Sequence, residues 1–211
     1  SNASRGLGDV YKRQPNAWRV KAFLAEKGID IPRQTISVVE GDTRKPDFLA
    51  INSLGEVPVL ELDDGTRITE SVAICRYLES LHPTPALFGT TPLAQAQVEM
   101  WNRRMEQQIF GYCAQFGLHM IPFFADKIEQ MPEYAETQRR MLAKKWAWLD
   151  TELADGRPFI AGDAMSVADI TGATALIICG FMDLEVPANA ANVQRWADAM
   201  RERPSWALWQ M

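Results

Sequence analysis

The chain has 211 residues, 47% of them apolar and 23% charged, with a net charge of −5 and an isoelectric point near 5.2. That length holds one large domain or two small ones with a real core, and the composition is that of an ordinary soluble globular protein. The acidic balance disfavours a general nucleic-acid partner, no run approaches the ~18 apolar residues of a membrane span, and no leader pattern opens the chain.

Ser1-Asn2-Ala3 reads as an expression scar. Leu7 to Lys12 reads as a short, irregular first strand, with Leu7, Val10 and Tyr11 able to face a core. Pro15-Asn16 opens the first helix, Val20, Phe23 and Leu24 give its apolar spacing, and Gly28 caps it. Ile36 and Val38 alternate, which predicts a second strand near Gln34 to Val38. Lys45-Pro46 to Ile51 is expected to be a short helix with Phe48 and Leu49 buried.

Val57, Val59, Leu60 and Leu62 predict a buried strand. Asp64-Gly65 predicts a two-residue type I′ turn, and Arg67-Ile68 a return strand. A helix starts at Thr69 to Ser71 and carries Val72, Ile74, Cys75, Leu78 and Leu81. With the atypical strand in residues 1–14 as its first element, the order through residue 82 is β-α-β-α-β-β-α, a thioredoxin-like plan. Residues 83–90 are proline-rich and aperiodic and read as a linker, with Leu87 and Phe88 expected between domains.

From Thr91 the pattern is helical to residue 211. Val98, Trp101, Met105, Ile109 and Tyr112 form the first stripe. A break is expected between Gly117 and Pro122. A second long helix runs from Pro132 to about Ala154, with Met141, Trp148, Leu149 and Leu153 inward. Ser166 and Asp169 have capping-box spacing, and Met165 is set for a hydrophobic staple to Ile170. Ile170 to Phe181 is apolar nearly all round and reads as a buried central helix. A further helix covers Ala191 to Glu202, Pro204 ends it, and Trp206 to Met211 is a tail that packs back. The fold class is therefore an α/β thioredoxin-like N-terminal domain followed by an all-α helical domain over 91–211.

The chemistry concentrates in residues 52–71. Pro58 heads a strand, and a cis Val57-Pro58 bond would offer the Val57 N–H and C=O to an extended peptide. The helix start at Ser71 is an anion site, its hydroxyl a further donor, and Glu70 could hold an ammonium. These features suit a short zwitterionic peptide. By themselves they also fit a plain hairpin and helix cap. Cys75, Cys113 and Cys179 are far apart in helical patterns and read as reduced core residues. His82 and His119 lack ligand spacing, so no metal site is expected.

VPVL, the hairpin and ITESVAICRYLE together resemble the glutathione-binding half of a cytosolic glutathione transferase. The resemblance runs from about residue 15 to 206 and includes the Ser166/Asp169 capping element, which is structural. It implies that the Val57 backbone, before Pro58, bonds the cysteinyl part of glutathione. It implies that Glu70 and Ser71 hold the γ-glutamyl end, with Glu56 and Asn52 flanking the glycyl end. Branches of the family place Tyr, Ser, Cys or Thr after the first strand, whereas Arg13 and Gln14 stand here. The Pro15-Asn16 pair is similar to the nu class, which makes Asn16 the expected sulfur donor and Gln14 the second choice. Asn16 also reads as a helix cap, and Arg19 as a partner of Glu70 or a solvated cation. Acceptor-site candidates are Trp101, Arg104, Met105 and Gln108, with Phe116, Met120 and Phe124 closing the site; the same spacing also reads as core. The resemblance implies glutathione as co-substrate, an apolar electrophile as partner, and a cytoplasmic homodimer serving detoxification. A glutathione-dependent disulfide reductase and a non-catalytic binding module are the alternatives.

Overall fold

The computed structural model describes residues 14–209, so the expected strand Leu7 to Lys12 lies outside the described residues. Helix α1 (Pro15–Lys27) starts on a proline, whose missing N–H costs nothing in a first turn. It ends where Gly28 turns left-handed, at φ 65°. There the Ile29 N–H reaches back to the Leu24 carbonyl at 2.9 Å, closing the last turn.

The strand expected near Gln34 to Val38 is not formed. A strand exists only as part of a ladder, and nothing among the described residues pairs with this segment. Its end belongs to a turn instead. The Asp42 carboxylate accepts the Ser37 N–H at 3.0 Å, and the Asp42 N–H returns to the Ser37 carbonyl at 2.9 Å. A 3₁₀ turn (Asp42–Arg44) and the short helix α2 (Pro46–Leu49) follow, with Phe48 buried and Leu49 half-buried.

Strands β1 (Val59–Glu61) and β2 (Arg67–Thr69) pair antiparallel, with Val59 opposite Thr69 and Glu61 opposite Arg67. The turn between them is not the expected two-residue type I′. Neither Asp63 nor Asp64 has a positive φ, whereas Gly65 does, at 82°. The Gly65 N–H bonds the Leu62 carbonyl at 2.9 Å, and the Leu62 N–H bonds the Thr66 carbonyl at 2.8 Å. This is a three-residue loop, a turn of ordinary hand followed by one left-handed glycine. A single positive φ suffices there, which is why aspartate is tolerated before the glycine.

Helix α3 (Ser71–Leu81) lies alongside α1 and runs in the same direction. Arg19 Nη1 donates to Ser71 Oγ at 2.9 Å. Eight residues further along each helix, Lys27 Nζ meets the Glu79 carboxylate at 2.5 Å. The same ammonium donates to the His82 and Pro85 carbonyls, each at 2.6 Å. Both cations are buried, and Phe23, Ile74, Cys75 and Leu78 form the apolar core of this unit. The tail does pack back. The short helix α9 (Pro204–Ala207) brings Trp206 and Trp209 edge-on to Trp18, at centroid distances of 6.5 and 6.0 Å. Ser205 donates to the Glu26 carboxylate at 2.5 Å. The chain accordingly divides into one unit that runs to Ala86 and takes back Pro204 onward, and a second, Leu87–Arg203.

The second unit opens with Leu87, whose carbonyl accepts the Val167 N–H at 2.8 Å. Helix α4 (Pro92–Met105) is capped by Thr91, whose hydroxyl accepts the Ala94 N–H at 3.2 Å. It continues through a π-helical segment (Glu106–Phe110) into α5 (Gly111–Met120). Ile121 is extended and Pro122 starts a 3₁₀ turn, which is the break read from the sequence. Gln130 stops the open end by donating to the Leu118 and Ile121 carbonyls at 3.0 and 2.8 Å. Helices α6 (Pro132–Glu152), α7 (Val167–Phe181) and α8 (Ala191–Arg201) complete the unit.

Helix α7 is buried from Val167 to Cys179. Ser166 and Asp169 form its capping box. The Asp169 carboxylate accepts the Ser166 N–H at 2.9 Å, the Ser166 hydroxyl at 3.1 Å, the Ile160 N–H at 2.8 Å and Trp196 Nε1–H at 2.9 Å. Burial pushes this carboxyl upward, and the four donors oppose the rise. Gly172, one turn on, is what lets Trp196 come so close, because a Cβ there would stand 2.7 Å from its ring.

Two substitutions test this packing. Asp169→Ala strands the Ile160 N–H and the Trp196 indole N–H, so it should cost about 2–6 kcal/mol in urea unfolding, with Asp169→Asn losing less. Lys27→Ala leaves the Glu79 carboxylate and two carbonyls without their ammonium and should cost about 3–5 kcal/mol by the same measurement.

Candidate functional site

The last pair of the hairpin ladder is Val59 with Thr69, so Val57 lies two residues before β1 and Ser71 two residues after β2. The Val57-Pro58 peptide bond is cis, as is Thr84-Pro85. Among the described residues nothing hydrogen-bonds the Val57 N–H or C=O. The loop before it is braced from within. Asn52 Nδ2 donates to the Glu56 carbonyl at 2.8 Å, and Asn52 Oδ1 accepts the Leu54 N–H at 3.2 Å. Arg44 Nη1 donates to the Leu54 carbonyl at 3.2 Å. Asn52 therefore holds the loop, and the Glu56 side chain is exposed.

Glu70 precedes α3 with φ 67° and ψ 117°, a conformation that side chains other than glycine seldom adopt. Its carbonyl accepts the Ile74 N–H at 3.0 Å, so the N–H groups of Ser71, Val72 and Ala73 have no partner within the helix. No acidic residue occupies the first turn. An anion placed here meets the helix dipole without competition. Ser71 is buried, and because Oγ accepts from Arg19 its own proton remains to be donated.

Arg19 is the residue that sequence reasoning placed wrongly. It neither pairs with Glu70 nor lies in solvent; it is 2% exposed and bonds Ser71. Its signal was the spacing Arg19, Phe23, Lys27, which puts two cations on the stripe that carries an aromatic core residue. Lys27 Nζ lies 5.4 Å from the Phe23 ring centroid.

At the start of α1, Gln14 and not Asn16 takes the cap position, with φ 44° and ψ 94°. The Gln14 carbonyl accepts the Trp18 N–H at 3.0 Å, and its side chain makes no capping bond. Asn16 lies inside the first turn, exposed, with no partner among the described residues. This turn also lacks acidic residues. Arg19 is on the next turn of the same helix, so the two helix starts that matter are linked through it.

The expected acceptor face divides. Trp101 and Met105 are core residues, 7% and 0% exposed. Trp101 stacks on Trp148 at 6.0 Å, and the Arg104 and Arg157 guanidinium carbons lie 4.8 and 4.7 Å from its ring centroid. Only Arg104 and Gln108 stay half-exposed, with Phe116 and Phe124 similar and Met120 open. Burial pushes the Cys75 thiol up to about 12, so almost none of it is thiolate near neutral pH. Among the described residues no group of three or more His, Cys, Asp or Glu side chains is placed to hold a metal ion. No helix among them is long and apolar enough to cross a membrane.

An α/β unit followed in the chain by a helical unit is the architecture of a known class. The family described as Glutathione S-transferase, N-terminal domain matches residues 15–81, and Glutathione S-transferase, C-terminal domain matches 101–204. Glutathione S-transferase 2 of Saccharomyces cerevisiae is 37% identical over 195 residues, covering 90% of this chain and 83% of that protein. The maleylacetoacetate isomerase of Pseudomonas aeruginosa is 38% identical over 90 residues, 42% of each chain. Among solved structures, Gtt2 from Saccharomyces cerevisiae superposes with a TM-score of 0.82 at 36% identity, covering 92% of this chain and 95% of that one. A Gtt2-class glutathione S-transferase of Vibrio parahaemolyticus gives 0.80 at 35%, covering 92% and 94%. The chain belongs to the glutathione S-transferase family, with a thioredoxin-like first domain and a helical second domain.

Proposed function

We propose that the chain binds glutathione and adds its thiolate to an apolar electrophile. The observation that carries this reading is the Ser71 hydroxyl, oriented by buried Arg19 at the acid-free start of α3, with the Val57 peptide unpaired among the described residues at the head of the same hairpin. The γ-glutamyl carboxylate takes the α3 N–H groups and the Ser71 proton. Its ammonium takes the free Glu70 carboxylate. The Val57 N–H and C=O pair with the cysteinyl residue as an added strand, with Pro58 fixing their direction. Glu56 borders the glycyl end. The sulfur then lies toward the start of α1.

A free thiol of this kind has a pKa of ~8.5, so catalysis needs the thiolate favoured. Asn16 supplies an amide donor, and the acid-free first turn of α1 supplies a positive helix end. Gln14 is the second-choice donor, held at the cap. Arg104 and Gln108 remain as acceptor-site residues, since Trp101 and Met105 are committed to packing. A glutathione-dependent disulfide reductase is the alternative that the Pro15-Asn16 pair would allow. The reading carries with it the cytoplasmic homodimer that the resemblance implies.

Retention on immobilised glutathione and a conjugation assay with a general aromatic electrophile test the reading. Ser71→Ala should weaken glutathione binding about 10–100-fold, the worth of one hydrogen bond to a charged group. Unchanged retention would remove the assigned cradle, and retention without turnover would leave only a binding module. Asn16→Ala should leave retention nearly intact but raise the pKa of bound glutathione by about 1–2 units, read from thiolate absorbance against pH. An unmoved titration would clear Asn16 of the role.

A further inference from the structure

Two thiols far apart in the sequence meet in the helical unit. Cys113 on α5 and Cys179 on α7 are both free and both buried, at 0% and 1% exposure. Their Sγ atoms are 2.7 Å apart. Cys179 also lines a cavity of about 170 Å³ whose walls include Glu185, Gln194 and Arg201. A polar cavity of that size has room for several molecules of water, at ~30 Å³ each, or for an oxidant not much larger. The contact puts a second thiol where it could resolve a sulfenic acid formed on its neighbour.

We propose that Cys113 and Cys179 form a peroxide-oxidisable dithiol that closes to a disulfide between α5 and α7. The Cys179 thiolate attacks one oxygen of hydrogen peroxide admitted to the cavity. An S–O bond forms, the O–O bond breaks, and the departing hydroxide takes up the thiol proton as water. The Cys113 sulfur then attacks the sulfenic sulfur. The S–S bond forms, the S–O bond breaks, and the Cys113 proton leaves with the hydroxide as a second water. Two thiols lose two electrons, and one peroxide becomes two waters.

The crosslink asks little of the backbone, because the sulfurs already touch and a disulfide bond is ~2.05 Å long. Burial pushes the Cys179 thiol well above its ordinary value, and Cys113 beside it adds to the rise. Thiolate is therefore scarce, and the oxidation is a slow, single event per molecule. The bond would tie α7 to the helix that continues the π segment, just beyond Gln108. The inference stands apart from glutathione binding, since both cysteines lie in the second unit.

The full reduced chain, treated with hydrogen peroxide and then denatured in excess iodoacetamide, is read by intact mass and peptide mapping. The expected product is lighter by two hydrogens, takes up alkylating groups only at Cys75, yields a crosslinked Cys113/Cys179 peptide pair, and reverts with a dithiol reductant. Cys113→Ala should stop at a dimedone-reactive Cys179, and Cys75→Ala should crosslink as the parent does. Three alkylatable thiols after peroxide, a sulfinic acid at Cys179 of the parent chain, or a disulfide that involves Cys75 or a second chain would each overturn the proposal. Should Cys113→Ala not fold, the parent map alone decides.

Discussion

The first unit depends on two buried cations on one helix. Arg19 and Lys27 fix α1 against α3 at two points eight residues apart on both helices. Equal spacing on both sides means the helices run parallel and in register. Taking two cations out of water is expensive, and the cost is offset only where geometry satisfies them. Lys27 meets a carboxylate and two carbonyls. Arg19 meets the Ser71 hydroxyl. Because the helices are parallel and aligned, their N-termini fall at the same end of the unit. Two positive helix ends, neither with an acid in its first turn, therefore face one region. The electropositive end of the unit is a by-product of how the core is laced together.

The hairpin supplies what the helices lack. A helix end attracts charge but does not read a peptide backbone. Val57, unpaired among the described residues, stands two residues before β1, and Ser71 two residues after β2, in a hairpin whose register the three-residue loop sets. Glu70, at a positive φ, is the pivot between β2 and α3. A strained non-glycine residue between a strand and a helix start is where backbone cost is tolerated for function. Loop 52–56, braced by Asn52 and Arg44, holds the other side of the same peptide.

Much of this was legible because it is local chemistry. Gly28 ends α1, Thr91 starts α4, and Ser166 with Asp169 starts α7, each through a cap that a few adjacent residues specify. What was not legible depends on partners far along the chain. The alternation at Ile36 and Val38 promised a strand, but pairing cannot be read from one segment. Asp64-Gly65 signalled a turn correctly, yet the loop length was set by where Leu62 and Thr66 pair. Trp101 and Met105 have the same spacing whether they face a ligand or a core. Only the stacking of Trp148 and the close approach of α7 at Gly172 decided for the core. Arg19 was missed because an arginine on a helix is usually solvated, and its partner lies 52 residues away.

The absence of a hydroxyl or thiol at residues 13 and 14 does not by itself make the proposed reaction impossible, and magnitudes show why. Lowering a thiol pKa by two units requires ~2.7 kcal/mol of preference for the thiolate. A helix N-terminus contributes ~0.3–1 kcal/mol at an exposed site and ~2 kcal/mol in a favourable, partly buried one. A hydrogen bond to a charged group adds ~1.5–3 kcal/mol. The dipole alone falls short, but the dipole with one well-placed amide reaches the requirement. What matters is then the position of the donor, not whether it is a hydroxyl. Asn16 lies in the first turn of a helix whose axis Arg19 and Lys27 hold in place. A side chain on a loose loop would have to pay its ordering entropy first, and the same hydrogen bond would then be worth much less.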